Sequence, residues 1–189
     1  MTAPDHDSVW LTAAHGAWIA SFEDAYPALF ARLREAGWRP GEIGGPERQT
    51  RWASEAILHP YNPLALQMEL ELGGLTLVAA APGGGKSRFQ FAPGQTSANL
   101  KAAADDYDRD VRDIVRSDDP FPVGEGHGWV LFVAGSGRSA LIEQALAAYI
   151  RADEPFVLLD ALLTGARHDA RIEHAAAAQG TRVTGRPGT

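Results

Sequence analysis

Three stretches of this sequence carry residue types that could do chemistry. The first is LTLVAAAPGGGKSRFQF, Leu75 to Phe91. An apolar run leads into glycines and then Gly85-Lys86-Ser87, close to the G-x-x-x-x-G-K-[ST] loop that cradles nucleotide phosphates, with Ala80 replacing the first glycine. Such a loop works because a helix follows it. Backbone N–H groups and the helix N-terminus form the anion hole, and the lysine reaches the outer phosphates. Here the residues after Lys86 alternate, with Phe89 and Phe91 on one face, and Pro93-Gly94 closes the run. That is the pattern of a half-buried strand. A metal-holding aspartate at the end of a buried strand is also missing. The nearest candidate, Asp160, lies in a segment that Asp153 and Pro155 open as a helix. The pattern favours a hairpin, Leu75–Ala81 antiparallel to Arg88–Ala92, with Lys86 solvated at its tip. A nucleotide-binding enzyme using Lys86 is the alternative.

The second stretch is acidic. DDYDRDVRDIVRSDDP carries Asp105, Asp106, Asp108, Asp110, Asp113, Asp118 and Asp119. It lacks the D-x-[DN]-x-[DN]-G loop and closing glutamate of a calcium-binding EF-hand. Arg109, Arg112 and Arg116 interleave with the aspartates, so ion pairs three and four residues apart can form along a helix. One reading is a solvated helix face. The other is an electronegative patch that steers and docks a basic protein. Tyr107 and Trp129 are aromatics of the kind that anchor such contacts when exposed.

The third set is scattered. His6, His15, His59, His127, His168 and His174 make no H-x-x-x-H or H-E-x-x-H spacing and read as solvated surface histidines. Gly135-Ser136-Gly137 lacks the full G-x-S-x-G nucleophile elbow. No nucleophile–base pair, metal cluster or cofactor loop emerges, so the sequence points to a binding protein with no catalytic residues, no cofactor and no metal.

The elements that must position these residues follow from periodicity and punctuation. The 189 residues suit one domain with decorated ends. Ser8 to Phe22 reads as a helix, Pro27 opens a second that Gly37 ends, and Asn62-Pro63 caps and starts a third that Gly73-Gly74 stops. Ser97 to Ser117 reads as a helix whose inner side includes Val111, Ile114 and Val115. FPVGEGHG is a rigid turn before the strand WVLFVA, and Gly135 to Gly137 is a hairpin tip. Ser139 to Arg151 is ambiguous: alanine and leucine favour helix, yet SALIEQ and AAYIRA fit two short strands. Asp153-Glu154-Pro155 opens a helix closed by Gly165. Ala166 to Gln179 reads as a further helix before a loose tail. Helices followed by a meander of strands imply α+β.

Composition narrows the partners. The chain carries 24 acidic and 17 basic residues, a formal charge of −7, which disfavours nucleic acid and anionic membranes. It has no cysteine, so disulfides and thiolate sites are excluded. No apolar run reaches the length of a membrane span, and the amino terminus lacks the pattern of a signal peptide, so the expectation is a cytoplasmic protein.

The punctuation also carries a resemblance. In order stand LREAGWRPG (Leu33–Gly41), LELGGLTL (Leu70–Leu77), FQFAPG (Phe89–Gly94), FPVGE (Phe121–Glu125), a tryptophan-led strand, and LLDALLTG (Leu158–Gly165). This series resembles the SUKH superfamily of bacterial immunity proteins, its third subfamily in particular, over roughly Leu29 to Gly165. The resemblance implies an α+β fold, a curved antiparallel sheet flanked by helices. It implies a protein that binds and neutralises a cognate polymorphic toxin, often a basic effector, without catalysis. It also implies that Trp38 packs the helix–sheet junction, that Pro122 and Gly124 set the turn into Trp129–Ala134, and that Gly135 to Arg151 is strand. On this reading residues 1–28 are an N-terminal helical extension, 29–165 the domain, and 166–189 a C-terminal helix and flexible tail. The candidate partner-binding residues are then Asp105, Asp106, Asp108, Asp110, Asp113, Asp118, Asp119 and Tyr107. A regulatory interaction scaffold is a further alternative, since the fold is also used away from toxins.

Overall fold

Proline placement sets the helix starts. Pro27, Pro63 and Pro155 each stand in the first turn of a helix, where the missing N–H costs nothing and the fixed φ suits the helix. The computed structural model describes residues 18–42, 62–80, 86–91, 105–126, 128–143, 148–168, 171 and 173–176. In chain order its elements are α1 (Pro27–Glu35), α2 (Pro63–Leu72), β1 (Thr76–Ala80), β2 (Lys86–Gln90), α3 (Asp105–Val115), β3 (Phe121–Gly126), β4 (Trp129–Val133), β5 (Ser139–Glu143), β6 (Ala148–Ala152), α4 (Pro155–Thr164) and β7 (Glu173–Ala176). The expected helix starts at Ser8 and Ser97 lie outside the described residues.

The strands form one open, curved antiparallel sheet in the order β1-β2-β3-β4-β5-β6-β7, so the fold is α+β. β1 and β2 pair from Thr76–Gln90 to Ala80–Lys86. Lys86 therefore opens a strand, and no helix starts there to complete a phosphate cradle. The nucleotide alternative loses its geometric basis. Gly74, at φ 82, turns the chain out of α2 so that Phe91 N–H can donate to the Leu75 carbonyl at 3.0 Å and extend the ladder. On the outer edge, Arg32 donates to the Val78 carbonyl at 2.8 Å, occupying an acceptor that an edge strand would otherwise present.

Both faces of the sheet are covered. On one, α1, α2 and α4 pack a core of Leu29, Phe30, Leu33, Trp38, Met68 and Phe156 against Leu77, Phe89, Leu131, Val133 and Leu141. On the other, Val111, Ile114 and Val115 of α3 cover Val130, Phe132, Ala134, Ala140 and Ile142. Alternate residues of β4 and β5 thus serve different cores. This explains why SALIE looks helical by composition. Strands buried on two faces lose the apolar–polar alternation, and pairing then outweighs propensity. The two short strands expected here form as β5 and β6, and the 135–137 tip closes with Ala134 N–H donating to the Arg138 carbonyl at 2.8 Å. Trp38 is buried as expected, edge-to-face on Phe30 at 5.2 Å.

Four expectations need correction. First, FPVGE is not a turn: Phe121–Gly126 is strand β3, and the register shifts between Pro122 and Gly124. Proline is accommodated where the ladder is irregular. Second, the helix expected over Ala166–Gln179 does not form at the described residues of that stretch. Glu173–Ala176 pairs with β6, and Arg151 binds the Glu173 carboxylate, so edge pairing overrides the alanines' preference. Third, the boundary drawn at residue 28 falls inside α1, and residues 18–28 pack on the domain. Ile19 and Tyr26 belong to the main core, with Trp18 and Phe22 packed on it. Fourth, His168 is not solvated. Its Nε2 lies 2.8 Å from the buried Asp160 carboxylate, which also accepts from Thr164 Oγ1 at 3.0 Å.

Candidate partner-binding surface

The acidic stretch is presented by α3. Its apolar residues Val111, Ile114 and Val115 face the sheet at helical spacing, which leaves Asp113 exposed and Asp110 half-exposed on other sides of the helix. Asp110 lies 3.8 Å from its neighbour Arg109. Asp118 is exposed just past the helix. Asp105, Asp106, Tyr107 and Asp108 form the first turn of α3; their side chains lie outside the described residues.

Asp119 is a different kind of residue. Its carboxylate accepts from Ser117 Oγ at 2.5 Å and from Gly135 N–H at 3.0 Å, and its carbonyl accepts from the Asn62 amide at 3.0 Å. These bonds tie the end of α3 to the β4–β5 turn and to the start of α2. Among the candidate residues Asp119 is the one with a scaffold role. Trp129, half-buried, packs against the main core and is no free aromatic anchor.

The buried Asn62 is the centre of this junction. Its carbonyl oxygen accepts from Leu64 and Ala65 N–H at 3.1 Å each, capping α2, while its amide donates to Asp119 O and, at 2.6 Å, to Val133 O. The sequence identifies the cap but carries no sign of the two donor bonds. α2 itself is buried almost all round, Gln67, Glu69 and Glu71 included. Burial pushes the Glu71 pKa up, offset in part by the Trp38 indole and the Gln67 amide, which donates at 3.1 Å.

A second polar network closes the chain after α4. Tyr26 and Arg171 both donate to the Glu154 carboxylate, with the Arg171 guanidinium 5.7 Å from the Tyr26 ring centre. Burial, and then the Glu154 carboxylate, hold the Tyr26 hydroxyl well above the ordinary phenol range. Sequence reasoning missed this network, and it missed four arginines gathered at the C-terminal end of α3. Arg116, Arg138, Arg151 and Arg171 come from four separate segments, so no local pattern brings them together. Among the described residues no group of three or more histidines, aspartates and glutamates is arranged to hold a metal ion, and no helix is long and apolar enough to cross a membrane. No family model, no curated protein and no solved structure matches this chain.

Proposed function

We propose that this chain is a non-catalytic protein-binding module of the immunity type, which neutralises a cognate toxin domain by docking it on the acidic side of α3. The observation that carries the reading is the division of labour on that helix. One side is spent on the second core, and Asp113, with Asp110 and Asp118 beside it, is left to solvent on a chain of charge −7. Along α3 five aspartates stand against Arg109 and Arg112, a net charge of −3, and such a surface supplies attraction and orientation for a basic partner. The resemblance in the order of glycine and proline motifs supplies the toxin as that partner.

The test is binding to the toxin domain encoded beside this protein. The Asp110→Lys/Asp113→Lys double variant is expected to slow association about tenfold and to flatten its salt dependence, with the melting temperature nearly unchanged. Cells expressing the toxin should be protected by the parent chain and poorly by the variant. Unchanged association kinetics in a folded double variant would remove α3 from the interface.

A further inference from the structure

We propose that the cleft at the C-terminal end of α3 is a phosphate-binding site. The cleft has a volume of about 250 Å³ and is lined by Arg116, Arg138, Arg151 and Arg171, with Asp153 and Glu173 as its acidic residues. Four guanidiniums stand against Asp153, Glu173 and the Glu154 carboxylate that pairs with Arg171, which leaves a local charge of +1 on a chain whose formal charge is −7. None of the α3 aspartates lines the cleft, and the proposal does not rest on the immunity reading.

The simpler account is that these arginines only stabilise the fold, and for Arg151 it is sufficient. Its Nε and Nη2 donate to Glu173 and its Nη1 to the Ile114 carbonyl at 3.3 Å. The account fails for the others. Arg138 spends Nη1 on the Arg116 carbonyl at 2.9 Å, yet a guanidinium has five N–H donors. Arg171 gives Nη2 to Glu154. The Arg116 side chain has no hydrogen-bond or ion-pair partner among the described residues. It nevertheless sits close enough to help lower the Glu173 pKa, after the hydrogen bond from Arg151.

Arg116 is also the one described non-glycine residue with positive φ, at 58°. Glycine or asparagine would end the helix there at less cost, so the arginine is not explained by backbone geometry. The negative end of the α3 dipole is partly covered, because Arg151 donates to the Ile114 carbonyl and Arg138 to that of Arg116, just past the helix. What remains is a set of unspent, fork-shaped donors on one side of a cleft. Guanidiniums bind phosphate oxygens bidentately, and Arg116 and Arg138, which make no salt bridge among the described residues, are the two that suit a phosphate dianion.

The test is titration of the full chain with inorganic phosphate and, separately, with phenyl phosphate at constant ionic strength, followed by NMR of backbone amides and arginine Nε. Saturable shifts centred on Arg116, Arg138 and Arg171 are expected. Tighter binding of phenyl phosphate would identify a phosphate ester as the ligand; equal binding would identify the free ion. Arg116→Gln is expected to weaken binding about tenfold, and Arg34→Gln, on α1, to leave it unchanged. Arg116→Gly is the decisive variant. It should raise the melting temperature by relieving the left-handed backbone and still weaken phosphate binding, an outcome that unfolding cannot produce. No saturation by about 10 mM of either probe, or parent-like affinity in Arg116→Gly, would overturn the proposal.

Discussion

Asn62 shows how much of the scaffold rests on one side chain. It caps α2 and binds the Asp119 and Val133 carbonyls, so its loss uncaps a helix and strands two acceptors. Asn62→Ala is expected to cost about 3 kcal/mol in a urea melt. Asn62→Asp should be no better, although it keeps the cap, because a carboxylate would face two carbonyl oxygens. Two glutamates pull the pH response in opposite directions. Glu71, whose folded pKa is raised, favours the fold fully only below its ordinary value of about 4.5, and that contribution is lost as pH rises through the folded pKa. Glu71→Gln should therefore raise the melting temperature at neutral pH and leave it nearly unchanged in acid. Glu173, whose folded pKa is lowered by Arg151, contributes above about 4.5 and loses that contribution as pH falls through the folded value. Protection of the β7 amides, measured against their intrinsic exchange rate at each pH, should fall on acidification, and it should already be low at neutral pH in Glu173→Gln. At this scale the sequence is legible where a residue acts on its near neighbours, as Asn62 does on Leu64 and Ala65. It is silent where the partner is remote, as with Asn62 and Val133 or Asp160 and His168.

Among the elements, β3 depends most on particular residues. A Cβ at Gly126 would lie 2.4 Å from the Arg88 carbonyl oxygen, and one at Gly124 would lie 2.8 Å from that of Gln90. β2 can approach only because these positions are bare. Gly126→Ala is expected to cost about 2 kcal/mol or more and to release β1 and β2 as a unit, detected as faster amide exchange across Thr76–Gln90 with β4 and β5 still protected. The β1–β2 hairpin was legible because its outer residues alternate with Phe89 and Phe91. α2 was legible at its ends and not in its period, since a helix buried nearly all round has no polar stripe to read. β7 was not legible at all. Its alanines favour helix, and what makes it a strand is the edge of β6, which exists only once the sheet has formed. The acidic side of α3 was visible as composition, but the scaffold role of Asp119 needed the fold.

For the molecule as a whole, the sheet serves two cores of unequal size, the larger under α1, α2 and α4 and the smaller under α3. Exchange should be slowest in β4 and β5, whose residues enter both. Phe132→Ala, in the smaller core, is expected to cost about 3–5 kcal/mol and to loosen α3 first, measurable as loss of protection in α3 before the rest. The strand order has another consequence. Every strand pairs with the one made just before it, so the sheet grows in the direction of synthesis and never waits for a segment still inside the ribosome. The longest closure joins β2 to β3 across the whole α3 segment, and it is held by the pairs Phe89–Gly126 and Gln90–Glu125; a shorter one joins β6 to β7 across α4. During translation the nascent chain should therefore pause as a lone hairpin, with α1 and α2 beside it, until α3 and β3 emerge. Each later strand hides its predecessor's open edge, and the ion-paired β7 arrives last to close the series.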